Sequence, residues 1–548
     1  MQAEAAGNPL ALLELPAALA GLPAPATGLT APLEIPAPLP LPRRIQQSYY
    51  RQVAGLPATA RTFLLVAAAE ESGDLGLVRR ASQALGVPAA TADAAERSGL
   101  IMVDQQAVAF RHPLVRAAVY QSATSAERGA AHGALAAALT GELGADRQAW
   151  HRAAAAAGPD ESVAGELEQA AARARQRLGH AAAAAALERA ARLTPERPDK
   201  ARRLIAAAGA ALDAGWLDAA IALVGQGQSL TAEPAALAEI ARVRAWVAME
   251  RGAMHTVHEL VVAGAEPIAG SDPVAAAAML MLGGIAGWWA GDAKLVQDAA
   301  DRMAGLALPG SAGLVPGSGA IQAMADLLAG RPAPAVPRLE ALVTAARRDP
   351  PEQLDVRFYA ANMAMLIGDF DGARDLMLST VQACRAQGVI RFLAPVSLGL
   401  SYANFGQTRF RAATETATEG LRLAQDTGQP VRVAGLHSML ALLAAVGGDE
   451  PRCRKLAARA LNQFAAEEVA NVATMAEWAL ALLDLGLGRY GPALERFERT
   501  ASGALRHFIH PVLFAPDQVE AAARLGAADR AAEPLARFAA WAGATGQP

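Results

Sequence analysis

Cysteine, lysine and aromatic residues are scarce in this chain of 548 residues, and the scarcity of cysteine excludes one class of protein. Two cysteines far apart, Cys384 and Cys453, do not form the disulfide scaffold of a small secreted protein. The 49 basic and 53 acidic residues give a net charge of −4, which leaves no basic footprint for nucleic acid. We therefore expect a cytoplasmic protein that makes no direct contact with DNA.

Motifs for catalysis and for metal binding are also missing. The sequence contains no H-E-x-x-H, no G-x-S-x-G and no C-x-x-C. The histidine pairs His255/His258 and His507/His510 have a spacing that puts both rings on one helix face, but no third ligand stands at a supporting spacing. The sequence therefore predicts neither an enzyme nor a metal site.

One apolar stretch, residues 273–291, carries no charge and approaches the length of a membrane span. Many of its residues are Ala or Gly, which are weakly apolar, and it falls in phase with the repeats described next. We expect a buried repeat helix and no membrane association. The chain also begins without the basic and apolar pattern of a signal peptide.

Internal repeats organise most of the chain. Hydrophobic residues make up 53% of it, with an excess of alanine, the best helix former. A glycine followed by a helix start recurs at intervals of 36 to 42 residues. Each glycine is expected to end one helix in the left-handed conformation, so each repeat is a helical hairpin. The series comprises Gly179, Gly215, Gly252, Gly291, Gly330, Gly368, Gly406, Gly448, Gly488 and Gly526.

A small or apolar residue stands five positions after nearly every one of these glycines. We expect it where the second helix crosses the first, since a larger side chain would push the two helices apart. Arg411 alone breaks this pattern. Hairpins that cannot bury their apolar faces alone stack on one another. The small residues are Ala184, Ala220, Val257, Val296, Ala335, Ala373, Cys453, Ala493 and Ala531.

The composition changes along the chain and predicts four segments. Residues 1–22 read as a short helical piece. Residues 23–42 contain seven prolines and are expected to form an extended linker. Residues 43–140 read as a small helical domain, and residues 141–548 hold the repeats.

The small domain contains one predicted β-hairpin. Two short apolar runs, residues 100–103 and 107–111, are joined by a polar turn at residues 104–106. Pro113 then stands at the first turn of a helix that runs to about Tyr120. Helices followed by a hairpin indicate a winged-helix-like module. The predicted fold is therefore all-α, with a winged-helix-like domain before a superhelical repeat array.

Three stretches of sequence carry a family resemblance. They are GNPLALLELP at residues 7–16, FRHPLVRAAVY at residues 110–120 with the SATSAERGAAHGALAAAL that follows, and the alanine-rich array. The array resembles tetratricopeptide repeats. Together the stretches resemble the large ATP-binding LuxR-type transcriptional regulators, a group of the signal-transducing ATPases with numerous domains. The likeness covers essentially the whole chain.

The resemblance implies nucleotide contacts by three residues. Gly7 and Pro9 match a motif that packs against adenine in this class, and His112 matches a histidine that contacts the β-phosphate of ADP. ATP or ADP is thus a possible cofactor by resemblance only. No lysine follows a glycine, so the phosphate-binding loop of the family is missing, as is its C-terminal helix-turn-helix. Residues 1–22 then correspond to the last helix of the ATPase domain, as in a truncated reading frame or a free-standing derivative.

Aromatic residues, although only 5% of the chain, recur in the first helices of successive hairpins. These helices line the concave surface in tetratricopeptide arrays, so we expect a groove for a small molecule or peptide there; ordinary hairpin core is the alternative for any single residue. Two arginines in the same helices are candidates for charge recognition. The expected groove residues are Arg244, Trp246, Trp288, Trp289, Arg357, Tyr359 and Trp478.

Two functions are compatible with these features. The first is the signal-sensing and protein-interaction portion of a LuxR-type regulator, with an inducer or a partner protein on the concave repeat surface. The second is a stand-alone repeat adaptor with no role for nucleotide or DNA.

Overall fold

The computed structural model describes residues 50–141, 144–308, 315–351, 353–463 and 469–547. Within these ranges the chain forms helices and a single two-stranded sheet. It folds into two compact units. The first contains the described residues up to 211 together with 218–231, and the second contains residues 212–217 and those from 232 onward.

The first unit begins with helices around a β-hairpin. The hairpin is antiparallel and pairs Ile101 with Phe110, and Asp104 Oδ1 closes its turn by accepting the N–H groups of Gln106 and Ala107. Phe63 and Ile101 are at most 2% exposed and belong to the core beneath it. The elements are α1 (Ala58–Ala69), α2 (Leu75–Ala84), α3 (Thr91–Arg97), β1 (Ile101–Val103) and β2 (Val108–Phe110).

The helix predicted after the hairpin begins at Pro113, where a missing N–H costs no helical hydrogen bond. The next helix starts with a capping box, in which Thr124 and Glu127 each bond the other's backbone N–H. The remaining helices of this part are α4 (Pro113–Ser122), α5 (Ser125–Ala138), α6 (Ala145–Ala155), α7 (Glu161–Gln176), α8 (His180–Leu193), α9 (Arg197–Asp213) and α10 (Leu217–Gln228).

The second unit is a stack of helical hairpins, as the sequence predicts. We number the hairpins 1 to 8; a short helix, α25 (Ile509–Leu513), precedes hairpin 8. The pairs are α11/α12 (Pro234–Glu250, Met254–Ala265), α13/α14 (Pro273–Ala290, Ala293–Ala304), α15/α16 (Val315–Leu328, Pro332–Arg348), α17/α18 (Leu354–Leu366, Phe370–Gln387), α19/α20 (Leu393–Gly406, Phe410–Asp426), α21/α22 (Pro430–Val446, Glu450–Leu461), α23/α24 (Ala470–Gly486, Tyr490–Thr500) and α26/α27 (Ala515–Arg524, Ala532–Thr545).

Left-handed residues separate the helices of most hairpins. Eight of the ten predicted glycines have positive φ, between +69° and +86°. The prediction is wrong at Gly179, where φ is −92°, and at Gly406, which is the last residue of α19. Leu178 and Thr408 take the left-handed conformation there instead.

The small residues predicted at the helix crossings are almost all buried. Ala184, Ala335, Ala373 and Ala493 are fully buried, as is Cys453. Arg411, the exception in the sequence pattern, is exposed because the left-handed residue of that hairpin is Thr408. Five positions after Thr408 stands Ala413, which is fully buried.

The stack in the second unit is superhelical and returns on itself after five hairpins. Helix α11 of hairpin 1 contacts α21 of hairpin 6, and α13 of hairpin 2 contacts α23 of hairpin 7. Helix α16 of hairpin 3 contacts α27 of hairpin 8. The concave side is therefore enclosed by first helices from both ends of the unit.

The apolar stretch at 273–291 forms α13. By length and composition α13 is the one helix of the described residues that is long and apolar enough to cross a membrane. It is 72% buried against its neighbours, and both of its tryptophans, Trp288 and Trp289, are at most 9% exposed. This burial is that of a core helix of the stack.

Candidate functional site

A cavity of about 80 Å³ lies inside the superhelical stack of the second unit. Its lining side chains come from α11, α13, α15, α17, α19, α21 and α23, the first helices of hairpins 1 to 7, together with α25. The cavity is thus lined by hairpins from both ends of the stack, which meet where the stack returns on itself. We call it the central cavity.

Aromatic rings form one wall of the central cavity. Trp246 on α11 stacks on Tyr359 of α17, with centroids 6.4 Å apart and planes 4° from parallel. Phe392 packs edge-on against Trp246 at 5.5 Å, and the Arg391 guanidinium lies 4.7 Å from the Trp246 centroid. Such contacts stabilise the packing of this wall by more than its buried area alone.

A buried ion pair borders the same cavity. Arg432 on α21 is 2% exposed and Glu250 on α11 is 5% exposed. Arg432 donates from Nη2 to Glu250 Oε1 at 2.7 Å and from Nε to Oε2 at 2.9 Å. Its guanidinium also lies 4.4 Å from the Trp289 ring centroid. The carboxylate neutralises the guanidinium, so the pair adds no net charge to the enclosure.

Tyr359 and Tyr402 belong to the lining, and their hydroxyl oxygens are buried without a hydrogen-bond partner among the described residues. The side chains are 7% and 8% exposed. Burial raises the pKa of both hydroxyls well above the usual value, so both remain protonated. Buried polar groups of folded proteins are nearly always paired, so the two O–H groups are unusual.

Methionines make up much of the remaining lining. Their unbranched side chains have three rotatable bonds and adapt to irregular shapes. The cavity can therefore change its shape more readily on these sides than along the aromatic wall. The methionines are Met249, Met324, Met363, Met365 and Met475.

The structure brings together some of the predicted groove residues and separates others. Trp246, Trp288, Trp289 and Tyr359 all line the central cavity. The other three do not belong to its lining: Arg244, Arg357 and Trp478.

Two of the separated residues have structural partners instead. Arg357 binds the carbonyl oxygens of Pro351 at 2.8 Å and Ser379 at 3.2 Å, which fixes the start of α17. Trp478 Nε1 donates to Asp517 Oδ2 at 3.1 Å, and burial raises the pKa of Asp517 to about 6. Arg244 is half-buried on α11.

Sequence reasoning missed the Glu250–Arg432 pair and Tyr402. The sequence does contain a signal for Arg432, because it is the one charged residue in the otherwise apolar helix PVRVAGLHSMLALLAAV. A lone charge in a helix that is apolar all round is expected to be buried and paired. Its partner, far away on α11, has no comparable signal.

His112 lies in the first unit, at the N-terminus of α4. Its Nδ1 accepts the backbone N–H of Leu114 at 3.1 Å, so the ring caps the helix. Its Nε2 is buried without a hydrogen-bond partner among the described residues. Nearby on α4, Arg116 Nε donates to the Ala68 carbonyl at 2.9 Å. Gly7 and Pro9, the other residues assigned to nucleotide by resemblance, lie outside the described residues.

The histidine pairs of the sequence serve structural contacts. His258 Nε2 lies 2.9 Å from Asp298 Oδ2, and His510 Nδ1 lies 2.7 Å from the Thr474 hydroxyl. Over the described ranges, no group of three or more His, Cys, Asp or Glu side chains is placed to hold a metal ion.

Comparisons with known proteins give distant structural likenesses. No protein-family model matches the chain, and no curated protein matches it. A Rap protein complexed with competence and sporulation factor has a TM-score of 0.37 and 10% identity, covering 71% of this chain and 99% of that one. A signal transduction ATPase with numerous domains and a tetratricopeptide repeat sensor, from Pyrococcus horikoshii, has a TM-score of 0.37 and 11% identity, covering 81% of this chain and 64% of that one. Neither likeness bears on what this chain binds.

Proposed function

We propose that this chain is a ligand-sensing protein whose second unit encloses a small effector molecule. The central cavity supports this most strongly, because its lining joins the first helices of hairpins 1 to 7. An effector bound in this cavity contacts hairpins from both ends of the stack at once. It therefore binds the closed stack better than an opened one and shifts the population toward it.

The finer part of the proposal is that the chain is the sensing and interaction portion of a LuxR-type regulator, acting in the cytoplasm. The helices and β-hairpin of the first unit fit the winged-helix-like module of that family, and the stack fits its sensor. Closure of the stack then alters the surface available to a protein partner. DNA binding belongs to other parts of such a regulator.

The sensing role is tested with protein purified from its own host and examined by native mass spectrometry. We expect a retained small molecule that is released on unfolding. Met363→Trp fills the central cavity, whereas Met102→Trp makes the same change on the exposed hairpin of the first unit. The retained molecule should vanish only in Met363→Trp. If wild type retains no molecule, and host metabolite extract does not raise its melting temperature, the proposal is wrong.

A second candidate function, nucleotide sensing in the first unit, rests on the unpaired Nε2 of His112. An imidazole N–H is suited to a phosphate oxygen. Calorimetric titration with ADP tests it. Binding that is lost in His112→Asn, which can keep the helix cap, supports a nucleotide contact. Equal binding by the two proteins, or no binding by either, contradicts it.

A further inference from the structure

The first unit has a groove of its own, with a volume of about 560 Å³. Helices α1, α4 and α5 line it, together with Tyr50 and the residues that follow Tyr50 at the start of the described chain. Its volume lies within the range of about 300–1,000 Å³ that is typical of ligand-binding pockets. We call it the first-unit groove, and its apolar lining includes Val53, Ala54, Ala58, Leu65, Val119 and Ala130.

The apolar lining of this groove is open to solvent. Its two valines and Leu65 are buried, whereas its three alanines are exposed. Contiguous apolar surface with polar residues around it is typical of a site that another segment of protein covers. The groove therefore calls for an occupant with apolar side chains.

The charged residues of the lining indicate the charge of that occupant. Arg61 on α1 is the one basic side chain in the described lining; it is exposed and forms no ion pair or hydrogen bond with another described residue. Glu127, the acidic residue, already accepts the backbone N–H of Thr124 at 2.7 Å and its hydroxyl at 2.8 Å. These two bonds, with a smaller contribution from the Arg61 charge, lower the pKa of the Glu127 carboxyl. The groove thus favours an apolar segment that carries one acidic side chain.

The part of the chain that precedes the described residues contains a segment of this character. Residues 10–15 (LALLEL) hold four leucines and one acidic residue, Glu14. The sequence predicts a short helix here, and in a helix Leu10, Leu13 and Glu14 would share one face because residues three and four positions apart are neighbours. One face can therefore supply both the apolar contacts and an acidic partner for Arg61.

The connection between this segment and the groove is covalent and long enough. Because Tyr50 belongs to the groove lining, residues 16–49 form a tether that ends beside the groove. Proline-rich stretches extend by about 3.1 Å per residue, and residues 26–31 contain Gly28 and no proline, which permits a reversal of direction. A tether gives an effective concentration on the order of millimolar, so weak contacts suffice for binding.

We propose that residues 10–15 of this chain bind in the first-unit groove, where Leu10 and Leu13 pack against its apolar lining and Glu14 pairs with Arg61. The chain thereby covers its own apolar surface, which a second copy or another protein would otherwise contact. This interaction is separate from the effector site proposed for the second unit.

Photocrosslinking within the full chain tests this proposal. The photoreactive residue p-benzoylphenylalanine replaces Ser122, an exposed lining residue, or Met102, which is 51% exposed on the β-hairpin and outside the lining. We expect position 122 to crosslink to residues 10–15 in monomeric protein, as mapped by mass spectrometry, and position 102 not to do so. The proposal is overturned if position 122 gives no crosslink, joins two chains, or reaches only other parts of the chain, and equally if position 102 reaches residues 10–15.

Substitutions in the segment measure the apolar contacts without altering the core of either unit. Leu13→Asp removes the burial of one leucine, so the docking equilibrium constant obtained from the crosslinked fraction should fall at least about tenfold. Leu33→Asp makes the same change in the proline-rich stretch and should leave the crosslinked fraction unchanged. Equal effects of the two substitutions would show that the leucines of residues 10–15 do not bind in the groove.

The charge pair is tested by exchanging its members. Arg61→Glu should weaken docking about two- to fivefold, the effect of an exposed ion pair, and the further change Glu14→Arg should restore it. Circular dichroism and melting temperature confirm that the exposed substitution at position 61 preserves the fold. A double variant that docks no better than Arg61→Glu would contradict the assigned pairing.

Discussion

Glu250 and Arg432 stand 182 positions apart in the sequence, yet their side chains meet at 2.7 Å in the interior of the second unit. The pair joins hairpin 1 to hairpin 6 and so helps to close the stack. Its burial makes each charge dependent on the other, because desolvating either one alone is costly.

Loss of one member of this pair should strongly destabilise the second unit. Arg432→Met leaves the Glu250 carboxylate buried without a partner, and we expect the free energy of unfolding to fall by about 3–5 kcal/mol. Urea unfolding measures this change. Replacing both members, as Glu250→Leu with Arg432→Met, should recover most of the loss.

A matched control exists on the surface. Arg411 pairs with Glu415 across one helical turn, and its side chain is 93% exposed. Arg411→Met should leave the free energy of unfolding unchanged, since exposed pairs contribute little. Equal losses in Arg411→Met and Arg432→Met would show that the buried pair has no special role.

Substitutions at two glycines in the left-handed conformation separate the effect of a contact between hairpins 4 and 8 from the effect of backbone conformation. Gly368 and Gly448 have φ of +74° and +71°. A Cβ at Gly368 would lie 2.9 Å from the ring of Trp541 in hairpin 8. This ring is held in place because its Nε1 donates a hydrogen bond to the Leu366 carbonyl. A Cβ at Gly448 would meet nothing within 4 Å. Both Gly→Ala variants should lose about 1 kcal/mol through the backbone, and Gly368→Ala should lose more. Thermal unfolding compares them, and equal losses would argue against the contact.

The small residues where the two helices of a hairpin cross should not tolerate replacement by larger side chains. Ala335 is fully buried where α16 crosses α15, and Ala333, two positions earlier, is exposed. Ala335→Leu should lower the free energy of unfolding by about 1–3 kcal/mol through overpacking, while Ala333→Leu should have little effect. Chemical denaturation of the two variants checks this, and a neutral Ala335→Leu would contradict the role assigned to the small residue.

The first unit contains a histidine pair that should make it sensitive to acid. His132 Nδ1 lies 2.9 Å from His151 Nδ1, and the Tyr120 hydroxyl lies 2.8 Å from His132 Nε2. Two neutral imidazole rings, each with one N–H, can satisfy this row of hydrogen bonds. Protonation of either ring would place two N–H donors opposite each other. Burial, followed by the Arg128 charge, lowers the pKa of His132 to about 4, and burial with His132 lowers that of His151 to about 3.

The sign of the pH effect follows from these values. Unfolded histidines bind protons below about pH 6.5, and the folded pair does not do so until about pH 4 and below. The unfolded state therefore binds more protons between these limits, and the free energy of unfolding falls as pH is lowered through them. Each histidine contributes about 1.4 kcal/mol per pH unit. His151→Phe should reduce the slope measured by urea unfolding from pH 7 to 4.5; an unchanged slope would contradict this assignment.

The local architecture could be predicted from the sequence because it depends on neighbouring residues. The β-hairpin, the helix start at Pro113 and the hairpins of the stack all follow from turn residues and periodicity. Two boundaries were misassigned because Leu178 and Thr408 adopt a left-handed conformation that sequence patterns associate with glycine.

The site was predicted only in part, for a different reason. Aromatic residues in the first helices do lie on the inner side, so Trp246 and Tyr359 could be found from periodicity. The return of the stack after five hairpins depends on small rotations that accumulate from hairpin to hairpin. No local sequence pattern indicates a contact such as Glu250–Arg432. The same holds for the conversion of an open groove into a cavity.

Closure of the stack is tested most directly by a distance between spin labels on hairpins 1 and 6. Thr256→Cys and Lys455→Cys place the labels at exposed positions. The native Cys384 and Cys453 are at most 1% exposed, and burial raises the pKa of each thiol to about 11, so they react slowly with the label. Double electron–electron resonance should give one narrow distance distribution, broadened and lengthened by Arg432→Met. A broad, long distribution without that substitution would show that hairpins 1 and 6 do not meet, and would contradict the enclosed cavity.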